Sequence, residues 1–432
     1  MVPNGWRVLS LSEITKEKIS YGIVQAGPHV DDGVPYIKSA DVGGEIDTQK
    51  LQKTAAEIHH KYRRSAVHPN DIVFSLRGNI ARTSIVPLDL PEANLTQGTA
   101  RISVDEKNDT KFVYYKLACT PIMNRINSLS KGSTFKEISL EELRKVKLPL
   151  PPLPEQRKIA NILTTWDKAI ATTEKLIDTS KQQKKALMQQ LLTGKKRLVK
   201  SNASRSVREG FALSKIGDIP DDWEVELISK HYWYQEGPGV RKHQFTENGV
   251  KLFNGTNIQQ SRIDISNTST YISSEEAYGA YSHFLADSGD LVIACSGISV
   301  ERFDEKIAFI KEAHLPLCMN TSTMRFKVKS ETRACLTFMR YFMMSDLFKN
   351  QIRRQITGSA QLNFGPSHIA KCFVPLPSLD EQKKIASVLS CVDKEVDILE
   401  AKLSHIKQEK KALMQQLLTG KRRVKVAETE EA

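Results

Sequence analysis

Cysteine pairs and long apolar runs are both missing from this sequence. Its six cysteines never form a C-x-x-C pair, which argues against a disulfide framework and a zinc site and predicts reduced, mostly buried thiols. No apolar run approaches the roughly 20 residues that a membrane-spanning helix needs, and we expect no signal peptide. The nearest candidate, residues 336–344, is short and contains Arg340, so we predict a buried amphipathic helix there.

Catalytic signatures are missing as well. The sequence contains no G-x-x-x-x-G-K-[ST], no G-x-G-x-x-G, no H-E-x-x-H and no Asn/Asp-Pro-Pro-aromatic methyltransferase element. Residues 105–107 and 304–306 read Asp-Glu-Lys and fit half of a nuclease motif, but so short a pattern arises by chance. The ten histidines are scattered. The sequence therefore predicts no catalytic residues and no metal site in this chain.

Acidic residues are outnumbered by basic ones. The chain has 63 Lys and Arg against 50 Asp and Glu, which gives a net charge of +13 over 432 residues. Such an excess favours a polyanionic partner, of which nucleic acid is the commonest. The length leaves room for two or three domains, each with its own core.

The most informative feature that is present is an internal repeat. LPLPPLPEQRKIANIL at 148–163 returns as VPLPSLDEQKKIASVL at 374–389, and KKALMQQLLTGKKR at 184–197 returns as KKALMQQLLTGKRR at 410–423. Both pairs have the same spacing, so the copies align without a gap. Weaker matches precede them: GVPYIKSADV with GVKLFNGTNI, DIVFSLRG with DLVIACSG, and TARISV with TMRFKV.

Each copy ends in a long helical segment with a heptad seam. Apolar residues alternate at spacings of three and four, which is typical of a coiled coil. Thr173, Ser180 and Lys184 fill the remaining positions of the first seam, and Lys410 alone interrupts the second. A prolyl turn precedes each segment, and Gly194 or Gly420 follows it, as expected for helix boundaries. Because a seam needs a partner, we predict that the two helices pack against each other in opposite directions.

The segments before the helices predict two mixed α/β globules. Short Val, Ile and Phe runs bounded by turn residues indicate strands, and one helical piece is expected in each half, at 111–129 and 334–356. The predicted fold class is α+β, with two mixed α/β domains separated by two long helices packed as an antiparallel coiled coil with a pseudo-two-fold internal repeat. The predicted boundaries are 1–150 and 216–376 for the domains, 151–196 and 377–426 for the helical regions, 197–215 for a basic linker and 427–432 for an acidic tail.

This organisation makes one chain imitate a dimer. Symmetric dimers bind palindromic half-sites about one DNA turn apart. Here the helices match closely while the globules have diverged, so we expect two unlike half-sites separated by an unread spacer whose length the helices fix. The interpretation predicts a bipartite, asymmetric target on double-stranded DNA.

The combination resembles the specificity subunit of type I restriction-modification enzymes, above all in the paired PLPPLPEQ and PLPSLDEQ turns and the paired LMQQLLTGK endings. The resemblance covers nearly the whole chain. It implies two target-recognition domains and helical regions that dock two methylase subunits, which carry S-adenosylmethionine and methylate adenine N6. It also implies a restriction subunit that uses ATP and Mg, no cofactor in this chain, and a cytoplasmic, nucleoid-associated location.

The DNA-contacting residues are expected in the loops after the matched strand segments. Arg, Lys, Asn, Gln, Ser and Thr distinguish base edges, whereas Lys and Arg also bind phosphates. For base edges the first half offers Lys38, Ser39, Arg77, Asn79, Arg82, Thr96 and Gln97, with Lys131, Ser133 and Lys136 for phosphates. The second half offers Asn254, Thr256, Asn257, Ser296, Arg302, Asn320, Ser322, Gln361 and Asn363.

Purely structural roles for these residues, and other functions for the chain, stay open. Each of those residues could equally be a turn former, a cap or a solvated charge. Arg101 and Arg325 correspond in the two copies, so we expect them to serve the shared fold or the DNA backbone. For the whole chain the alternatives are a coiled-coil adaptor whose globules bind protein, and a self-contained DNA-processing enzyme.

Overall fold

The computed structural model describes residues 3–132, 136–198, 211–266, 268–356 and 363–425. The chain divides into two compact units, the first formed by Met1–Lys175 and Glu400–Ala432 and the second by Leu176–Leu399. Each unit therefore holds one of the predicted globules and one half of each long helix. The predicted acidic tail lies outside the described residues.

The elements of the first unit follow a mixed order of short strands and helices. Its strands are β1 (Arg7–Ser10), β2 (Val34–Ile37), β3 (Gln52–Thr54), β4 (Ile72–Ser75), β5 (Thr83–Ile85), β6 (Asn94–Leu95), β7 (Thr99–Ile102) and β8 (Lys147–Leu150). Its helices are α1 (Ala56–Lys61), α2 (Thr110–Leu117), α3 (Thr120–Leu129), α4 (Leu140–Arg144) and the first half of α5 (Leu153–Leu191).

The second unit repeats this order with additional strands. These are β9 (Phe211–Ser214), β10 (Gly217–Pro220), β11 (Glu224–Leu227), β12 (Tyr232–Glu236), β13 (Phe245–Thr246), β14 (Val250–Phe253), β15 (Ile258–Gln259), β16 (Arg262–Ile263), β17 (Tyr271–Ile272), β18 (Leu291–Ala294), β19 (Ile307–Phe309), β20 (Leu317–Met319), β21 (Thr323–Val328) and β22 (Phe373–Leu376). The helices are α6 (Ile228–His231), α7 (Ser274–Tyr278), α8 (Leu336–Met344), α9 (Asp346–Gln355), α10 (Pro366–Ile369) and α11 (Leu379–Leu417), whose last part belongs to the first unit.

Equivalent sheets form in the two units from the sequence segments that match. In the first unit β4 pairs with β5 and β7, and β2 pairs with β3 and, in parallel, with β6. In the second unit β18 pairs with β19 and β21, and β14 pairs with β17 and, in parallel, with β20. The fully buried runs of β4 and β18 are continuous apolar stretches, as expected for strands covered on both faces.

The two long helices have the predicted seam. Each is 39 residues long, or roughly 58 Å at about 1.5 Å per residue. Within the first unit, the buried seam positions are Ile159, Leu163, Thr173, Ile406 and Leu417. Within the second unit, they are Ile177, Ser180, Leu191, Ile385, Leu389 and Val396.

Ion pairs inside each unit show that the helices run in opposite directions. In the first unit, Lys410 pairs with Asp167, and the Lys407 ammonium lies 2.7 Å from the Glu174 carboxylate. In the second unit, the ammonium of Lys184 lies 2.5 Å from the carboxylate of Asp393. A second pair in that unit joins Arg197, just beyond α5, to Glu381 at 2.7 Å. In each unit, residue numbers that rise along one helix fall along the other, so the predicted antiparallel pairing is confirmed.

The lysines that interrupt the seam are tied to the globules. Asp167, the partner of Lys410, also accepts a hydrogen bond of 2.5 Å from the hydroxyl of Tyr115 in α2. Asp393, the partner of Lys184, accepts an equivalent bond of 2.7 Å from Tyr341 in α8. The polar positions of the seam therefore connect the coiled coil to the domain beside it, which gives a structural reason for their presence.

The repeated residues that follow each long helix pack against the N-terminal residues of a globule. Gly420 follows α11 and packs against Pro3 and Trp6. Beyond it, the Arg423 guanidinium donates two hydrogen bonds of 2.7 Å to the Glu155 carboxylate in the first turn of α5. A bidentate, charge-assisted pair fixes both position and orientation.

The same arrangement recurs in the second unit. Gly194 packs against Pro220 and Trp223, and Arg197 binds Glu381 at 2.7 and 2.8 Å. The matched Trp, Pro-x-x-x-Glu-Gln and Thr-Gly-Lys segments of the sequence are thus parts of one repeated junction.

The structure corrects several sequence-based boundaries. The helical piece predicted at 111–129 is two helices, because Cys119 is extended and Pro121 begins a new helix, and the piece at 334–356 is broken at the extended Ser345. The first prolyl turn is partly a strand, because β8 pairs with β1 in a two-stranded sheet, where proline is tolerated. The predicted linker 197–215 lies mostly outside the described residues, but Phe211–Ser214 is a strand paired with β10.

The predicted amphipathic helix at 336–344 is confirmed. It is α8, and Phe338, Met339 and Tyr341 are among its buried residues. No helix among the described residues is long and apolar enough to cross a bilayer.

Candidate nucleic-acid interface

Four loops of the first unit meet at one edge of its sheets. Because β2 and β6 are parallel, their carboxyl ends place Lys38 and Thr96 side by side. The Leu76 amide donates to the Gly98 carbonyl at 2.8 Å, which joins the loop after β4 to the loop after β6. The loop after β4 in turn contacts the segment before α4, where the Gly78 amide donates to the Lys136 carbonyl at 3.3 Å.

This loop cluster gathers most of the residues predicted for the first half. Arg77, Asn79, Arg82, Lys131 and Lys136 are exposed, and the Arg77 guanidinium forms an ion pair of 2.8 Å with Glu137. The other predicted residues are partly covered or undescribed. Lys38, Ser39, Thr96 and Gln97 are half-buried, and Ser133 lies outside the described residues.

The second unit builds an equivalent loop cluster. The strands β14 and β20 are parallel, so Asn254 and Asn320 follow at the same edge. The side-chain nitrogen of Asn320 donates to the side-chain oxygen of Asn254 at 3.0 Å. The Gly255 amide donates to the Ser322 hydroxyl at 2.9 Å. The loop after β18 joins through the Cys295 amide, which donates to the Ser322 carbonyl at 2.9 Å.

The remaining predicted residues of the second half fall at the rim of this cluster. The Ser296 hydroxyl donates to the Asn363 side chain at 2.9 Å, and both residues are exposed. Thr256 is exposed as well, and Arg302 lies in a helical turn after β18, where it forms an ion pair of 2.9 Å with Glu305. Gln361 lies outside the described residues.

Two predicted base-contacting residues instead serve the fold. Asn257 is buried; its side chain accepts from the Asn254 amide at 2.9 Å and donates to the Asp264 carbonyl and the Thr268 hydroxyl. Both hydrogens of its side-chain amide are donated within the protein and the residue is buried, so Asn257 is not retained as a candidate DNA contact. The Ser39 hydroxyl donates to the Gly98 carbonyl at 2.8 Å, which assigns it to holding two loops together.

Arg101 and Arg325 form buried ion pairs in the two sheets. The Arg101 guanidinium lies 2.8 Å from the carboxylate of Asp71. The guanidinium of Arg325 lies 3.1 Å from the carboxylate of Asp290, whose side chain is 2% exposed. This agrees with the predicted role of both arginines in the shared fold.

The side chains of the second Asp-Glu-Lys run, residues 304–306, bind separate partners. Asp304 binds Lys349 at 3.1 Å, Glu305 binds Arg302, and the Lys306 ammonium donates to the Ile258 carbonyl at 2.6 Å. Burial lowers the pKa of Lys306. Within the described ranges, no group of three His, Cys, Asp or Glu side chains is placed to hold a metal ion.

One segment of each loop cluster was not predicted from the sequence. In the first unit, the Gly22 amide donates to the Thr96 carbonyl at 3.2 Å, and a Cβ at Gly22 would lie 1.8 Å from the Leu95 carbonyl oxygen. In the second unit, a Cβ at Gly237 would lie 2.4 Å from the Asn320 carbonyl oxygen. An aromatic or charged residue followed by glycine, Tyr21-Gly22 and Glu236-Gly237, was the available signal for this close approach.

A comparison with known families matches both halves of the chain. The family model described as "Type I restriction modification DNA specificity domain" matches residues 3–181 and again residues 220–408. Each match includes one globule and most of the long helix that follows it in sequence.

Similar proteins span nearly the whole chain. The type I restriction enzyme MjaVIII specificity subunit of Methanocaldococcus jannaschii is 28% identical, over 98% of this chain and 94% of that protein. The putative MjaX specificity subunit of the same organism is 27% identical, over 98% and 95%.

A solved structure shares the fold. The crystal structure of the type I restriction-modification S subunit from M. genitalium superimposes with a TM-score of 0.56 at 13% identity, covering 96% of this chain and 97% of that one. Because the family model matches twice and accounts for most of the sequence, the chain belongs to the type I restriction-modification DNA specificity family.

Proposed function

We propose that this chain is the DNA-recognition subunit of a type I restriction-modification complex and reads a bipartite, asymmetric duplex site. The observation that carries the proposal is the presence of two equivalently built loop clusters with different side chains in one chain. Equivalent geometry suits two similar DNA segments, while different side chains suit different base sequences. The long helices would then set the length of the unread spacer.

The side chains of the loop clusters have suitable chemistry for both kinds of DNA contact. In the first unit, we assign Arg77, Asn79 and Arg82 to base edges, because they are exposed and carry donors that match the major groove. Lys131 and Lys136, also exposed, are assigned to phosphates. In the second unit the exposed candidates are Thr256, Ser296, Arg302 and Asn363.

In this proposal, partner subunits catalyse DNA methylation and cleavage. Two methylase subunits would dock on the helical regions, bring S-adenosylmethionine and methylate adenine N6, and a restriction subunit would add ATP- and Mg-dependent cleavage. The relatives that match over the full length are named as specificity subunits of restriction enzymes, which supports a recognition role. A cytoplasmic location beside the nucleoid follows from this role.

A salt titration of duplex binding tests the proposal. Each phosphate neutralised contributes about −0.9 to the slope of log affinity against log salt, so about four contacts predict roughly a 100-fold loss between 50 and 200 mM salt. We expect Lys136→Ala to reduce the slope by about 0.9. Lys107→Ala is the matched control, because Lys107 is exposed beyond the far end of β7.

Three outcomes would contradict the proposal. Affinity that barely changes with salt would exclude phosphate binding by the basic loops. Failure to bind any duplex in the presence of methylase subunits would favour a protein-binding adaptor. Cleavage or methylation of DNA by the purified chain alone would favour a self-contained enzyme.

A further inference from the structure

Glu236 ends β12 beside the loop cluster of the second unit. It lies opposite Met324 in the pairing of β12 with β21. The next residue, Gly237, packs against the backbone of Asn320. On its other side, a carboxylate oxygen of Glu236 lies 3.2 Å from the position that a Cβ on Gly365 would occupy. The carboxylate thus stands among the loops after β12 and β20 and the start of α10.

This carboxylate is left without a partner inside the protein. Glu236 is half-buried, yet among the residues that the structure describes no donor or cation binds it. Burial raises its pKa above the ordinary value, and no compensating hydrogen bond lowers it. Covering a polar group without a hydrogen bond costs free energy. A donor supplied by a bound molecule would offset that cost.

The first unit has a different residue at the equivalent position. Tyr21 forms an antiparallel bridge with Ala100 in β7, as Glu236 pairs with Met324 in β21. Each is followed by a glycine that packs against the loop after the parallel strand. The two loop clusters therefore present a partly exposed tyrosine at one site and a carboxylate at the other.

An ionised carboxylate discriminates strongly among the groups of a DNA duplex. It only accepts hydrogen bonds, so it is repelled by phosphates and by the carbonyl and ring acceptors of guanine and thymine. In the major groove the exocyclic amino groups of cytosine and adenine are the donors. A carboxylate among the basic and amide side chains of a loop cluster is therefore suited to contact a DNA base and unsuited to contact the DNA backbone.

We propose that Glu236 reads one base of the half-site bound by the second unit, by accepting a hydrogen bond from the exocyclic amino group of cytosine or adenine. Tyr21 occupies the matching position for the other half-site and gives that site a different preference. This inference rests on the proposed function and identifies a specificity-determining residue within it.

Selection of bound duplexes from a randomised pool tests the assignment. The full-length chain with its methylase subunits is compared as wild type, Glu236→Gln and Glu236→Ala, and the bound sequences are read. We expect the preference for cytosine or adenine at one position of one half-site to fall about tenfold or more in Glu236→Ala. In Glu236→Gln the preference at that position should move towards adenine, because a glutamine amide binds adenine N6 and N7 together. The other half-site should stay unchanged, which also shows that each variant is folded.

A matched control separates base reading from a general change of charge. Glu247 is exposed in the turn before β14, at the opposite end of the strand from Asn254. Glu247→Gln removes the same charge from the same unit and should leave the motif intact. Tyr21→Phe should alter the first half-site and leave the second unchanged.

The possible failures are distinguishable. If the wild-type complex selects a motif and both Glu236 variants select the same one, the role of Glu236 is refuted while the proposed function stands. If the wild-type complex selects no motif, the proposed function fails and the assignment fails with it.

Discussion

Arg325 in β21 joins its strand to the segment before β18 and to β12. Its guanidinium binds Asp290 at 3.1 Å and donates to the Leu285 carbonyl at 2.7 Å and the His283 carbonyl at 2.8 Å. It also donates to the Gln235 side chain at 2.8 Å. Because the pair with Asp290 is buried, loss of Arg325 leaves the Asp290 carboxylate with only the partly exposed Lys327, 3.4 Å away, as its counter-charge.

We predict that Arg325→Ala lowers the free energy of unfolding by about 3–5 kcal/mol. The matched control is Arg302→Ala, whose exposed pair with Glu305 predicts a change of about 0.5 kcal/mol or less. Urea unfolding followed by tryptophan fluorescence measures both. DNA binding should respond to Arg302→Ala without a loss of stability. Equal stability losses in the two variants would contradict the assignment of Arg325 to the fold.

Lys116 gives the first unit a dependence of stability on pH. Its side chain is buried, donates to the Leu418 carbonyl and lies 5.1 Å from the Trp6 ring centre. Burial lowers its pKa to about 8. Between about pH 8 and pH 10 the unfolded chain then binds more protons than the folded one, so this lysine makes stability rise with pH across that window.

Lys116→Met removes this proton linkage. The difference in unfolding free energy, wild type minus variant, should rise by roughly 3 kcal/mol from pH 7.5 to pH 10.5. Buried thiols such as Cys295, whose pKa burial raises to about 12, oppose the trend but are common to both proteins. Phe342→Met, at the corresponding position of the second unit, is the control. A difference that stays constant with pH would contradict the prediction.

For single residues, the sequence predicts which side chains could contact DNA or support the fold, but it only partly predicts which of these roles each one has. The correspondence of Arg101 with Arg325 indicated their shared structural role. The role of Asn257 could not be predicted, because Asp264 and Thr268 reach its amide only once the loop has folded. Glu236 and Tyr21 were missed because their place in the loop cluster depends on pairing with distant strands.

Among the elements, the repeated junction at the helix ends explains why the Thr-Gly-Lys endings match so closely. Gly420 has φ of +70° and packs against Pro3, with no room for a side chain. Gly78 has the same φ, yet a Cβ there would meet nothing within 4 Å. The two positions share the backbone requirement and differ only in packing.

We predict that Gly420→Ala destabilises the protein more than Gly78→Ala. The left-handed conformation costs alanine about 1–2 kcal/mol at either site. At Gly420 the added methyl would stand 2.2 Å from Pro3 and 3.2 Å from Trp6, and such overpacking adds about 1–3 kcal/mol. Urea midpoints of the two variants provide the measurement. Equal losses of stability would show that Pro3 and Trp6 can move away from the added methyl group without destabilising the protein.

The helices were predictable as elements because their periodicity is local. The heptad seam and the flanking proline placed both ends of α5 and the start of α11 to within five residues, whereas the second helical region, predicted to residue 426, ends as a helix at Leu417. The breaks at Cys119 and Ser345 were not predicted, because apolar residues continue across both positions. The junction was also missed, since Trp6 and Gly420 are distant in sequence and only the fold brings them together.

For the whole molecule, the repeat has been retained where it builds the structure and has diverged where the loops are exposed. The seam lysines, the Arg423 and Arg197 junctions and the buried sheet arginines all recur. By contrast, Tyr21 corresponds to Glu236 and Lys38 to Asn254. This division between a retained frame and diverged loops is the pattern expected if each unit recognises its own DNA sequence.

Mapping of methylated adenines in the source cell, with and without this gene, most directly tests the claim that the two units recognise two different DNA sequences. We predict methylation that depends on the gene and marks one motif made of two unlike half-sites separated by a fixed unread gap. A single continuous motif, two identical half-sites, or a methylation pattern that does not change when the gene is removed would contradict it.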